Sequence, residues 1–386
     1  MNRKPKVLHI VAATETHRFN NEFYKRLNNE GFENHFVVAP EDQSITFTAP
    51  VIKNTDDCRL HHLEFTREFF SIKHFRIIKI LSELIRRFDF DIVHAYGPIP
   101  GMYVRYLKKK QKISAKIFYT ILGLPFVKNS ESIGERFYMG VDKRLFHYAD
   151  RIFTVSRADR DYLLGAIGVE AEGIICLPGV GIDTEYFSRE KISIHCLDEV
   201  RKRLGIPEKA RIITFLGRPT EDKGIGILWR SFERVVKEEK YADLVMLIVG
   251  GFAKNERKKD VVFLQKIRDE ITKSSFQNRV HFAGHVDDIR PYLLNSVSLV
   301  LPSYREGMPT VTLEAMALGI PVVVSNIPSC REQVEHGKNG YICDLNSRSF
   351  AEGITLMLDN GVELSEDEIA EKIKKSYSNE KVHEIY

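Results

Sequence analysis

Two carboxylates, Glu306 and Glu314, stand on either side of a glycine-proline turn in the stretch PSYREGMPTVTLEAMALGIPVV, residues 302 to 323. An apolar strand, VSLVLPS, precedes the turn, and the spacing predicts a helix over PTVTLEAMAL with Pro309 at its first position, where a missing N–H costs nothing. Gly319 and Pro321 end that helix. The backbone of Gly307, Met308, Pro309 and Thr310 then surrounds a helix N-terminus whose free N–H groups and dipole suit an anion such as phosphate. A carboxylate at the strand's end and another in the first two helical turns could both accept hydrogen bonds from sugar hydroxyls. Taken singly, Glu306 is equally readable as a solvated turn residue and Glu314 as a partner of the helix dipole.

A second cluster of chemistry follows IITFLG. In GRPTEDKGIGILWRSF, Gly217, Arg218 and Lys223 occupy a loop that again feeds a helix. Arg218 with its planar fork and Lys223 as a point charge could clamp a diphosphate, although loop cations in isolation are usually solvated. Paired cations, an anion site and two carboxylates, all placed after strands, describe a pocket for a nucleotide diphosphate that bears a sugar.

These residues need a scaffold that brings strand ends together. At 386 residues the chain exceeds one ordinary core. Hydrophobic residues at 43% and charged residues at 28% exclude wholesale disorder, and a net charge of +4 falls short of a nucleic-acid footprint. The five cysteines are scattered without a C-x-x-C pair, which predicts reduced buried thiols and no zinc. KVLHIVAA, HFVVAP, FDIVHAYG, KIFYTI and RIFTVS read as strands of a first parallel α/β domain; IITFLG, DLVMLIVGG, VHFAG, VSLVLPS, IPVVVSN and NGYICD read as strands of a second. Residues 180 to 205 lack periodicity, so the expected boundary gives domains 1–182 and 183–368, with the charged tail 369–386 packing back on the first. In doubly wound sheets ligands lie beyond the carboxyl ends of the strands, and with two such domains the expected site is a deep cleft between them.

GRPTEDKG, FAGHVDDI and the Glu-x7-Glu stretch together resemble the GT4-type retaining glycosyltransferases of the GT-B fold, and PGVGIDTEYF looks like that family's interdomain segment. The resemblance implies an α/β GT-B protein of two facing Rossmann-like domains that moves a sugar from a nucleotide diphosphate, UDP being the expected nucleotide. It implies that Arg218 and Lys223 hold the diphosphate, Glu314 the ribose and Glu306 the donor sugar, with His285 and Val286 beside the base. Cations and helix N–H groups would oppose the charge that builds on the leaving diphosphate, so no metal or other cofactor is expected. Asp89-Phe90-Asp91 has the text of a D-x-D metal pair but precedes its strand, the wrong end of such a sheet, and is read as solvated carboxylates.

The first domain departs from the family pattern. VAATETHRF offers no glycine after the first strand, and Thr120-Ile121-Leu122-Gly123 has leucine where many members have histidine. TILGLPF resembles instead the TITGLG variant of bacterial surface-polysaccharide enzymes, which implies a lipid-linked acceptor, with polyprenyl diphosphate as a candidate carrier. His17, Arg18, His94 and Gly123 are the candidates on the acceptor side. No apolar run reaches about 18 residues, and the N-terminus reads as a strand preceded by basic residues, so a cytoplasmic location is expected, peripheral at the inner face of the cell membrane with that surface as a partner. SIKHFRIIKILSELIRRF and YLKKKQKISAK are basic segments that could rest on a membrane surface or pack as ordinary helices. Two other classes compete: an NAD-dependent oxidoreductase or epimerase, disfavoured by the missing G-x-G-x-x-G, and a non-catalytic nucleotide-sugar-binding subunit of an assembly complex.

Overall fold

A computed structural model describes residues 3–11, 23–39, 58–66, 71–124, 133–167, 173–252 and 257–386. The chain divides into two compact units, Met1–Gly181 with Val382–Tyr386, and Ile182–Lys381. Of the tail that the sequence assigns to the first domain, only Val382–Tyr386 joins it. The helix Glu366–Tyr377 stays with the second unit, packed on the helix Thr310–Ala317.

The first unit is built on seven parallel strands: β1 (Lys6–Val11), β2 (Glu33–Val38), β3 (Cys58–His62), β4 (Ile92–Tyr96), β5 (Lys116–Ile121), β6 (Arg151–Thr154) and β7 (Ile174–Cys176), in the order β3-β2-β1-β4-β5-β6-β7. The second unit holds six: β8 (Arg211–Leu216), β9 (Leu244–Val249), β10 (Val280–Gly284), β11 (Ser298–Leu301), β12 (Val322–Ser325) and β13 (Gly340–Cys343), in the order β10-β9-β8-β11-β12-β13. All pairings are parallel. Strands covered on both faces read as continuous apolar runs, and β9, LVMLIV, is buried at every position.

Each sheet therefore has one place where winding reverses, between β1 and β4 in the first and between β8 and β11 in the second. A crevice opens at the carboxyl ends of the two strands that flank such a point. In the second unit those ends carry the loops after Leu216 and after Leu301, the two stretches in which the sequence places its cations and its carboxylates.

Three expectations need correction. β3 and β7 lie outside the strands that the sequence predicts: β3 is CRLHH with one fully buried position, and β7 is three residues long. Both lie at sheet edges, where one side has no neighbour to bury, so the pattern is weak. The supposed featureless stretch to 205 contains a helix, Ile194–Leu204, started by the Ser193 side chain on the Cys196 N–H and stopped by Gly205 in the left-handed region. It buries Val200 alone, so its helical stripe is faint in the text. Of the five thiols, Cys58, Cys330 and Cys343 are buried as expected, while Cys176 and Cys196 are half-buried.

Candidate active site

β8 is followed by Gly217, whose N–H donates to Val249 O at 2.9 Å, and Gly250 N–H donates to Gly284 O at 2.8 Å. The backbones beyond β8, β9 and β10 are thus tied side by side. A Cβ on Gly250, at φ +124°, would lie 2.1 Å from Gly217 O, so a side chain there would force these strand ends apart. Gly251 in turn sits against the His285 backbone, which brings the His285–Val286 loop beside the ends of β9 and β8.

The loop after Gly217 folds down onto the end of β11. Gly224 caps the helix Ile225–Val235 in the left-handed region at φ +74°, and a Cβ there would stand 1.9 Å from Pro302 O. The Tyr304 N–H donates to Asp222 O at 2.9 Å. These two contacts lock the cation loop to the carboxylate loop across the winding reversal.

The result is an ion pair. Lys223 Nζ donates to Glu306 Oε1 at 2.6 Å and Oε2 at 2.7 Å, with side-chain exposures of 24% and 10%. The sequence assigned these residues to different parts of a ligand, and the structure brings them together. An ammonium has three donors, and Glu306 takes two of them. Ser329 Oγ donates to the Glu306 carbonyl at 3.2 Å and fixes the turn from behind. Burial pushes the neighbouring Cys330 thiol up, and the Glu306 carboxylate adds to the effect. Asp222, absent from the residues that the sequence motifs single out, lies in the same field. Its burial is outweighed by a hydrogen bond from Thr220 and by Lys223, Arg218 and Arg257, which hold its carboxyl below the usual range. Its adjacency to Lys223 was the available signal. Arg218 is half-buried at the start of this loop, its carbonyl accepting from Thr220 N–H at 2.8 Å.

The helix after the turn spans Thr310–Ala317, with Pro309 as its N-cap (φ −69°, ψ 104°) and not its first helical residue. Its ψ is extended, because the Pro309 carbonyl is turned to accept from Thr312 Oγ1 at 2.6 Å and Gln333 Nε2 at 3.2 Å. Gln333 also donates to Met308 Sδ and meets the Thr312 hydroxyl, so a fully enclosed amide from the short helix Pro328–Gln333 braces the turn. No side chain caps this N-terminus and no acid lies in its first turn, which leaves the leading N–H groups and the dipole open to an anion. Met308 is buried, Gly307 and Thr310 are half-buried, and Glu314 is 4% exposed one turn further along.

On the first unit the expectations fare differently. His94 is buried, and both its ring nitrogens are engaged inside the unit, Nε2 with Thr120 Oγ1 at 2.7 Å and Nδ1 with Tyr96 Oη at 3.0 Å. Burial holds it well below its ordinary pKa. It is therefore a core histidine and not an acceptor contact. Thr120 also meets Tyr386 Oη at 3.1 Å, a partner 266 residues away in sequence that nothing local foretold. Gly123 follows β5 at φ +124°. His17 and Arg18 lie outside the described residues. Asp89 and Asp91 stand at the amino end of β4, where Asp91 accepts from Arg3 at 2.9 Å and from the Lys6 N–H at 2.8 Å. That end is remote from the crevice of this sheet, so the D-x-D text has a local structural use. Among the described residues no helix is long and apolar enough to cross a membrane.

Comparison with known proteins agrees with this geometry. Residues 17–186 match Glycosyltransferase Family 4, and residues 198–380 match Glycosyl transferases group 1. The UDP-Gal:alpha-D-GlcNAc-diphosphoundecaprenol alpha-1,3-galactosyltransferase of Escherichia coli is 24% identical over 75% of this chain and 72% of that protein. The N-acetyl-alpha-D-glucosaminyl L-malate synthase of Bacillus anthracis is 24% identical over 95% of this chain and 88% of its own. Among solved structures, sucrose-phosphate synthase from Thermosynechococcus elongatus matches with a TM-score of 0.80 at 17% identity, over 98% of this chain and 96% of the other, which speaks for the fold. Two parallel-sheet Rossmann-like units, each matched by a glycosyltransferase family, place the chain in the GT4-type glycosyltransferases of the GT-B fold.

Proposed function

We propose that the chain transfers a sugar from a UDP-sugar to a lipid-linked glycan acceptor, with retention of the anomeric configuration and without a metal ion. The observation that carries this reading is the Lys223–Glu306 pair set across the reversal between β8 and β11, beside an uncapped helix N-terminus. Arg218, the third Lys223 donor and the N–H groups ahead of Val311 face the diphosphate. Glu314 receives the ribose hydroxyls, Glu306 the donor sugar, and the His285–Val286 loop the base. In the reaction the bond between the anomeric carbon and the diphosphate oxygen breaks. A bond to the acceptor hydroxyl oxygen forms on the same face, and the acceptor proton passes to the departing diphosphate. Negative charge grows on that group, so fixed cations and amide dipoles act most strongly in the transition state. The name of the Escherichia coli relative supports both UDP and a diphosphoundecaprenol acceptor.

A second reading has its own support: the Bacillus anthracis relative, which spans nearly the whole chain, is named for transfer to L-malate, a small water-soluble acceptor. One assay separates them. Purified protein is incubated with UDP-sugars and either a polyprenyl-diphosphate glycan or a set of hydroxy acids, in EDTA, and the product anomer is determined by NMR. Retained product on the lipid-linked glycan supports the proposal. Product on the hydroxy acid moves the acceptor assignment, an inverted linkage removes the retaining claim, and loss of transfer in EDTA removes metal independence.

A further inference from the structure

The helix Lys73–Phe88 connects β3 to β4 and buries Ile77, Leu81 and Ile85 against the first sheet. Its first turn is pinned by His74 Nδ1, which lies 2.7 Å from Tyr103 Oη on the helix Pro98–Lys109. The outward face of that same turn is unusual. Ile72 is 84% exposed and Phe75 77% exposed, the two highest values among the exposed large hydrophobic residues of the described chain. Steps of three and four place Ile72, Phe75, Arg76 and Lys79 along one stripe, with Lys73 at its margin. Lys73, Arg76 and Lys79 are all exposed, and among the described residues none of them pairs with a carboxylate. The first acid on this side of the helix is Glu83, more than a turn further along.

Its location matters as much as its composition. A crossover helix runs back along the strands it joins, and the C-terminal end of this one meets Asp89 and Asp91 at the amino end of β4. Sixteen residues span about 24 Å. Ile72 and Phe75 therefore sit at the opposite rim of the first sheet, at the carboxyl ends of its strands, where Gly97 and Gly123 also lie and where a substrate of this sheet belongs.

We propose that this turn is a docking surface for a bilayer carrying anionic phospholipid, with Ile72 and Phe75 entering the boundary of headgroups and acyl chains and Lys73, Arg76 and Lys79 meeting the phosphates. Exposed apolar residues flanked by cations without a carboxylate partner are the chemistry that anionic membranes select. A second copy of the chain is the poorer occupant, because a symmetric contact on this turn would set three cations against three cations. Membrane docking does not depend on the transferase reading. Its use, presenting the acceptor rim to a lipid-linked substrate, rests on that reading.

The test is flotation of the full chain with vesicles of equal parts phosphatidylglycerol and phosphatidylcholine, against pure phosphatidylcholine, at about 0.15 M and about 0.5 M salt. The parent is expected to float with the anionic vesicles and to lose most of that binding in high salt. Ile72→Ser/Phe75→Ser and Lys73→Glu/Lys79→Glu should each bind at least tenfold more weakly with an unchanged melting temperature, since the replaced side chains are exposed. A parent that ignores anionic vesicles, or variants that bind as the parent does, would overturn the proposal. So would a dimer in sedimentation velocity that disappears in the Ser variant. Transfer to a water-soluble acceptor analogue, run alongside, reports on the transferase reading separately: vesicle binding without transfer sinks that reading and leaves the docking surface standing.

Discussion

Lys223 and Glu306 lie 83 residues apart in sequence, and their pairing holds two loops of the second unit together. Removing either partner should therefore cost stability, and removing both should cost less than the sum. Each charged hydrogen bond contributes about 1.5–3 kcal/mol net, and breaking a fully buried pair costs about 3–5 kcal/mol. This pair is partly solvated, so the coupling should be near ~2 kcal/mol. For a unit of this size 1 kcal/mol moves the melting point by about 2–4 °C, so Lys223→Met or Glu306→Gln should lower it by about 4–8 °C. The assay is convenient because the chain has one tryptophan, Trp229, buried in the helix Ile225–Val235 that the cation loop starts. Its fluorescence follows the second unit alone. A double-mutant cycle in denaturant then isolates the pair. The two variants should also separate in function. Glu306→Gln frees the Lys223 charge, so UDP should bind more tightly, whereas Lys223→Met should weaken it. A coupling below about 0.5 kcal/mol, with the two losses simply adding, would refute the bridge, and so would identical shifts in UDP affinity.

Gly224→Ala should destabilise the second unit by at least ~2 kcal/mol in the same fluorescence assay, because the residue must adopt a left-handed conformation and its Cβ meets Pro302 O; a variant as stable as the parent would mean the loop does not press on β11. Acidification should weaken the first unit. Burial lowers His61 to about 4 and also lowers His35 and His94, so the fold favours neutral rings. Their contribution is present above the unfolded value near 6.5 and is lost as pH falls from there toward about 4. Melting followed by far-UV circular dichroism should drop between pH 7 and pH 5, and His61→Gln should flatten part of that drop; a parent whose melting point is level over this range would contradict the assignment.

The parts of the fold that could be read in the text are those with a dense local signal. β9 and β11 are buried at every position, and an unbroken apolar run bounded by turn residues leaves little choice. Turn chemistry was legible too, since Gly307 and Pro309 directly after an apolar strand signal a turn that opens a helix. Local reading failed where the deciding interaction was distant or weak. Pro309 reads as a first helical residue, yet its ψ is extended and its carbonyl accepts both from Thr312 and from Gln333 on another helix. His94 reads as a free imidazole at a strand end until Thr120 and Tyr96 close around it.

The sequence by itself determined which residues could do chemistry and which end of a sheet they would occupy. Alternation of buried strands and crossover helices forces parallel winding, and parallel winding puts every strand-to-helix loop on one rim. It could not determine which of those loops would touch. That followed from strand order, which sets β11 beside β8 although β9 and β10 intervene in sequence. Only this order brings the cation of one loop onto the carboxylate of another and leaves an uncapped helix N-terminus beside them. Electrostatic pairing falls off within a few ångströms, so a site made of charges exists only once the tertiary structure has chosen its neighbours.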